Sequence, residues 1–247
     1  NGWVVDGTGN PAALNDVLIE KDRIVAVDRL PGARAGTSID AEGRIVCPGL
    51  IDCHSHTDWT LFSNPDRQST IRQGVTTEIV GNCGFSMAPL SDISRSQCQG
   101  LLQQFAYDGP ASWSSFTEYL RAISEMGTAA NLAHFVGHSA IRATAGLVVP
   151  GQEATSEQMQ AMQVSVEEAL EAGVLGLSSG LEYDPGRLAS TAEIMTLSTI
   201  VGRHGGVYAS HIRNYDADIL SAVDEFVEIV RQGRTRGQLS HLNVRDN

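Results

Sequence analysis

An α/β fold, part of a parallel barrel behind a strand-rich leading segment, is predicted by three features of this sequence. From residue 49 onward, short apolar runs alternate with helical patterns in a regular order, the mark of parallel βα units. Before residue 49 the runs are interrupted by Gly, Asn and Asp, which reads as short antiparallel strands. Histidines and one cysteine recur where the predicted parallel strands end.

The elements follow in order. "GWVVDGTG", "DVLIEKDRIVAVD" and "TSIDAEGRIVCPG" supply the antiparallel strands of residues 1–48. The parallel strands are predicted at "GLIDCHSH" (49–56), "VTTEIVG" (75–81), "NLAHFVGH" (131–138), "GVLGLSSG" (173–180), "GVYASHIR" (206–213) and "GQLSHLN" (237–243). Helical periodicity covers 112–124, 156–173, 191–205 and 218–233. Ser156 and Thr191 are expected as N-caps, and Gly173 and Gly205 stand where a C-terminal glycine belongs. Six strands of this kind fit either an open Rossmann-like sheet or part of a (β/α)8 barrel. The polar residues choose between the two. In a barrel the C-terminal strand ends converge on one face, whereas an open sheet spreads them along an edge. Residues 49–247 are therefore read as strands one to six of a barrel.

Composition narrows the function. The 247 residues carry a net charge of −12, which argues against nucleic acid as a partner. No apolar run is long enough to span a bilayer. Cys47, Cys53, Cys83 and Cys98 show no spacing of a disulfide framework, so free thiols in a reducing, cytoplasmic compartment are expected. The opening "NGWVVDGTG" reads as the middle of a strand and turn, with the true N-terminus upstream. Lys21 is the sole lysine, against sixteen arginines.

His54 and His56, at i and i+2 on a strand, project from one side of the chain and can reach one metal ion. His211 in "ASH", His241 in "LSH" and Cys83 in "GNCGF" stand at other strand ends. The joint set is much more specific than any member. Imidazole with thiolate suits zinc, and such an ion with an open position polarises carbonyls and acidifies water. That is the chemistry of amide hydrolysis. His204, at a helix end, is read as structural; His134 and His138 bracket the third strand, with His138 a weaker candidate for a pocket wall.

"PGLIDCHSHTD", "GVTTEIVGNCGFSMAP", "VGHSAIR", "GVLGLSSGLEYDPG", "GGVYASHIRN" and "SHLN" together resemble the amidohydrolase superfamily, and within it the N-acyl-D-amino-acid deacylases (D-aminoacylases). The resemblance implies a metal-dependent hydrolase with a (β/α)8 TIM barrel and a small β-sandwich, to which residues 1–48 would belong. It implies a tight zinc on Cys83, His211 and His241, and a weaker metal position on His54 and His56 that shares the cysteine. Tyr183 matches a tyrosine set against the substrate. Arg213 is a candidate for neutralising a substrate carboxylate, with a structural salt bridge as the alternative. The partner implied is a small N-acyl amino acid or related amide. Hydantoinases, dihydroorotases and ureases resemble this group in fold but bridge two metals with a carbamylated lysine on the fourth strand. With Lys21 alone, and in the leading segment, that bridge is excluded here.

Two departures qualify the resemblance. The family typically carries a lysine two residues after the sixth-strand histidine, which binds the substrate carboxylate; here Asn243 holds that position. Strands seven and eight, with the aspartate the superfamily uses as general acid/base, are expected beyond Asn247, so the chain is read as a fragment. Asp52 and Asp58 flank the first-strand motif, but the resemblance places neither in that role. Two alternatives stand beside the deacylase: an amidohydrolase acting on a cyclic amide or dipeptide, and a catalytically incomplete chain whose metal site is structural.

Overall fold

A computed structural model describes residues 1–148 and 153–245. The chain divides into two compact units, Asn1–Leu50 and Ile51–Asn247. In the first, β1 (Gly2–Val4), β2 (Ala13–Glu20), β3 (Arg23–Asp28) and β4 (Ile45–Val46) form one sheet in the order β3-β2-β1-β4. β1 runs antiparallel to β2 and parallel to β4, and β2 pairs antiparallel with β3. Lys21 takes a left-handed backbone (φ 57°) in the tight turn between β2 and β3.

From the boundary onward run β5 (Leu50–Asp52), β6 (Val75–Val80), β7 (Asn131–Gly137), β8 (Gly176–Gly180), β9 (Val207–His211) and β10 (Arg236–Leu239). They form one six-stranded sheet in sequence order, with parallel ladders from β6 through β7 and β8–β9 to β10. Helices α1 (Gln68–Ile71), α2 (Asp92–Gln104), α3 (Phe116–Met126), α4 (His138–Thr144), α5 (Ser156–Glu171), α6 (Thr191–Arg203) and α7 (Ile219–Gly233) fill the crossovers. The core lies between strands and helices, where Val136, Leu177 and Tyr208 join Ile141, Met162, Leu197 and Ile229 in one cluster.

The sheet is curled, not open. Flat strands spaced about 4.8 Å apart would hold β5 and β10 about 24 Å from each other. Instead Gln238 on β10 donates to the carbonyl of Cys53, just past β5, at 3.1 Å. His54 and His241, beyond those same two strands, have ring centroids 4.9 Å apart. This is the curvature of a half-barrel, and it rejects the open Rossmann-like alternative.

Some local expectations are corrected. Thr155 and Ser190, not Ser156 and Thr191, cap α5 and α6. Each pairs with the residue three positions on, Gln158 and Glu193, whereas the neighbouring hydroxyls would have faced Met159 and Ile194. α2 was not anticipated, because its buried side is Ser94, Cys98 and Leu102, too few apolar residues to mark a helical period. β5 ends at Asp52, so His54 and His56 lie beyond the strand and not on it. No helix among the described residues is long and apolar enough to cross a membrane.

His138 is a clamp within the core rather than a pocket wall. It is fully buried, and its Nε2 lies 2.7 Å from Oε1 of Glu193, whose carboxylate also accepts from Arg142 at 2.7 Å. The contact ties α4, directly after β7, to α6. Burial pushes the Glu193 carboxyl up, but hydrogen bonds and charge from His138 and Arg142 outweigh it and leave it below the ordinary range. Burial keeps the His138 imidazole neutral, so it donates N–H to the carboxylate while Arg142 supplies the charge. His204 sits at the C-terminal cap of α6 and meets Glu167 at 2.8 Å.

Because the folded Glu193 pKa is depressed, its stabilisation is fully present above the unfolded carboxylate value. It is lost as pH falls through the folded value. Glu193→Gln should cost about 3–5 kcal/mol at pH 7, since it removes the charged acceptor of two buried donors, Arg142 and His138. Urea midpoints should show that difference constant from pH 8 to about 5.5 and shrinking below about 4.5.

Candidate metal centre

Five side chains meet where the strands of the second unit end. Cys83 lies three residues past β6 with φ 56°, a left-handed conformation uncommon outside glycine. Gly81 opens this turn at φ 76°, where a Cβ would lie 2.2 Å from the carbonyl oxygen of Phe135. Ser178 on β8 pins the turn from both sides: its hydroxyl donates to Gly81 O at 2.5 Å and accepts from Gly84 N at 3.0 Å. His211 is the last residue of β9. His241 follows β10 and has φ 33°, so two of the five hold backbone geometry that the surrounding contacts must enforce.

The donor atoms fall into two groups, His54–His56–Cys83 and Cys83–His211–His241, each with all ligand atoms within 4.8 Å of one another. Cys83 belongs to both. Its Sγ lies 3.3 Å from His54 Nε2 and 3.5 Å from His241 Nε2, and His211 Nδ1 lies 3.1 Å from His241 Nε2. Tetrahedral zinc, with Zn–N of about 2.0–2.1 Å and Zn–S of about 2.3 Å, has N···N edges near 3.3 Å and S···N edges near 3.6 Å. The Cys83–His241 and His211–His241 edges of one group and the Cys83–His54 edge of the other lie within about 0.3 Å of those values.

Electrostatics prepare them as ligands. Burial, then the neighbouring imidazoles, lowers His54 to about 4 and also lowers His56 and His241; burial alone lowers His211. The rings therefore stay neutral at pH 7, with lone pairs free for a metal. Burial pushes the Cys83 thiol up to about 11, so it is protonated at pH 7, and a cation bound there would take it as the thiolate. The buried Nδ1 atoms of His54 and His56 have no hydrogen-bond partner.

Several residues orient the cluster. Glu182 Oε2 accepts from His211 Nε2 at 2.8 Å, which fixes the tautomer and leaves Nδ1 facing His241. Arg245 pairs with the other Glu182 oxygen and lies 5.3 Å from the centre of the Tyr215 ring. Tyr215 accepts from Ile212 N at 3.1 Å, donates to Ser240 O at 3.2 Å, and packs its ring on His211. Tyr183 donates to Cys83 O at 2.6 Å, stacks on Phe85 and meets His211 edge-on.

Not every candidate joins this group. Arg213 faces Glu225 through two bonds of 2.8 Å and donates to the carbonyls of Arg187 and Ala189. Four of its five N–H groups are thereby engaged within the fold. Asn243 is exposed. Asp52 accepts from His54 N, and Asp58 is 1% exposed, with burial pushing its carboxyl up to about 7. Glu182 and Ser178 carried no signal of their own in the sequence: one lies beside the noticed Tyr183, the other inside an apolar strand.

A curled parallel sheet gathers imidazoles and a thiol at its C-terminal rim, the architecture of a metal-binding half-barrel. Residues 37–234 match the amidohydrolase family, and the chain belongs to it. D-aminoacylase of Alcaligenes xylosoxydans xylosoxydans is 37% identical over 245 residues, 98% of this chain and 49% of that protein. A D-aminoacylase structure described in terms of a binuclear centre, one-metal activation and second-metal attenuation superposes with a TM-score of 0.88 at 38% identity. It covers 98% of this chain and 50% of the other. N-acyl-D-glutamate deacylase from Bordetella bronchiseptica, complexed with zinc and a phosphonate mimic of the tetrahedral intermediate, gives a TM-score of 0.86 at 35% identity. That match covers 96% of this chain and 49% of the other. The chain thus spans about half the length of the relatives it matches.

Elemental analysis checks the cluster. Cys83→Ala should lose most bound zinc, because it removes the one thiolate common to both groups. Glu182→Gln should retain the ligands yet weaken zinc binding by about 10- to 100-fold in a chelator competition, as loss of a carboxylate behind a ligating histidine does elsewhere.

Proposed function

We propose that the full protein to which these residues belong is a zinc-dependent deacylase that hydrolyses the amide bond of N-acyl-D-amino acids. Cys83, His211 and His241 hold the tighter zinc; His54 and His56, sharing Cys83, form a second, weaker position. The observation that carries this reading is the sharing of Cys83 by two imidazole pairs, in a chain similar over its whole length to D-aminoacylase. A zinc ion there supplies Lewis-acid polarisation of the scissile carbonyl. Lys21, the sole lysine, lies in the β2–β3 turn, so a lysine-bridged site of the cyclic-amide kind is not supported.

The surrounding side chains have distinct tasks. Burial and the neighbouring thiol push the Tyr183 phenol far above its ordinary value, so Tyr183 acts as a hydrogen-bond donor beside the substrate and not as a base. Arg213 is better assigned to holding residues 187–189 against α7 than to a substrate carboxylate, given its bonds to Glu225 and two carbonyls. Asn243, exposed beyond β10, takes the carboxylate-facing position with a neutral amide. By the family resemblance the general acid/base is a carboxylate outside residues 1–247; Asp58, sealed from solvent, does not take that place. The four unpaired cysteines accord with a cytoplasmic location.

A panel of N-acetyl-D- and N-acetyl-L-amino acids on the complete, zinc-loaded protein tests the reading, with turnover expected on the D series alone. Hydrolysis confined to L substrates, cyclic amides or dipeptides would overturn it. Asn243→Lys should raise kcat/KM about ten-fold for N-acetyl-D-amino acids relative to their amides, the worth of one charge-assisted bond. Equal effects on acids and amides would remove Asn243 from the carboxylate.

A further inference from the structure

Beside the metal centre lies a cavity of about 450 Å³ that none of the roles above uses. It opens between the turn after β6, helices α2 and α4, and residues 184–185 that follow β8. Its size is that of a small-molecule site. The walls are mainly apolar: Trp59, Phe85, Met87, Leu90, Leu101 and Ala143. Such a cavity at the C-terminal rim of barrel strands is exposed to the reaction in a way that a void in the core is not.

Two of those walls are shared with the metal centre. The Trp59 ring lies 5.0 Å from the ring of His56 and 5.8 Å from Phe85. Phe85 is stacked on Tyr183 at 5.3 Å, and Tyr183 meets His211 at 4.9 Å. An apolar group anchored in the cavity therefore has its attachment point one ring's width from the ligands. Ser139 lines the near side, where its backbone N–H donates to the carbonyl of Gly84 in the Cys83 turn at 2.9 Å, which ties this wall to the candidate ligand turn.

The direction of the cavity separates the two halves of a substrate. Asn243 and Arg245 follow β10, on one side of the cluster, whereas the cavity lies on the β6–β8 side. With the carboxylate of an N-acyl-D-amino acid toward β10, the acyl group points across the centre to the cavity. Asp184 lies among its lining residues and disfavours a second carboxylate there. We propose that this cavity is an acyl-chain subsite, so that the substrates carry an uncharged, extended acyl group of about four to eight carbons. The proposal rests on the deacylase reading for its substrate, but not for the existence of the site.

Kinetics on the complete, zinc-loaded protein with one D-amino acid and acetyl, butanoyl, hexanoyl or succinyl groups test it. kcat/KM should climb by up to about four-fold per added methylene, and the succinyl substrate should fall below butanoyl. Ala143→Phe, which fills the cavity from α4, should bring the hexanoyl-to-acetyl ratio close to one. Binding of hexanamide, followed by tryptophan fluorescence in wild type, Trp59→Phe and Ala143→Phe, gives a readout free of turnover. Hexanamide should perturb the wild type alone, and acetamide none of the three. Hexanamide binding that Ala143→Phe abolishes, in a protein inactive on every D substrate, would sustain the subsite and overturn the deacylase. Turnover indifferent to acyl length, or a length dependence that follows the amino-acid side chain instead, would overturn the subsite and leave the deacylase standing.

Discussion

The site depends on a single thiol held in a conformation that a cysteine ordinarily avoids. Cys83 sits at φ 56° in a turn that Ser178 grips at both ends, and Gly81 enters that turn through a space too small for any Cβ. Left-handed backbone at a non-glycine residue costs on the order of 1–3 kcal/mol, and it persists only when neighbours over-determine it. Here they do. The strained turn sets one sulfur beside a histidine pair that follows β5 and beside His211, which ends β9, and His241, which follows β10.

That sulfur could not serve both groups in a flat sheet. The curl from β5 to β10 brings the first and sixth strands of the unit within hydrogen-bond reach, and the histidines beyond them into ring contact. Behind the rim, networks of buried charge hold the backbone steady. Glu78 and Arg67 are joined by bonds of 2.8 and 3.0 Å beneath the first histidine pair, with Ser55 on the same carboxylate. His138, Glu193 and Arg142 do the same between α4 and α6. Buried networks of this kind favour one arrangement, and removing a member is costly in the core.

Much of this could be read from the residues, and the reasons for the gaps are physical. The six parallel strands are visible as apolar runs, and all five cluster residues stand out because histidine and cysteine are rare at strand ends. The caps of α5 and α6 lie one residue before the ones the sequence suggests, because two hydroxyls stand side by side in each. Attention to Gln158 and Glu193 three positions on would have separated them. Helix α2 hides its period behind a buried serine and cysteine. Strand alternation does not set the relation of His54 to His56, since both lie past the strand and their rings meet edge-on at 5.4 Å. Glu182 and Ser178 were out of reach because their roles arise only when β8 is laid beside β9 and the Cys83 turn, a relation no local pattern encodes.

X-ray absorption at the zinc K-edge, on protein loaded with one equivalent of zinc, tests the central claim most directly. A thiolate shared at the rim predicts one sulfur scatterer at about 2.3 Å, with the remaining shell nitrogen or oxygen at about 2.0–2.1 Å and an imidazole outer-shell pattern. A first shell of nitrogen and oxygen alone would contradict it, because the strained turn would then hold Cys83 for some purpose other than the metal.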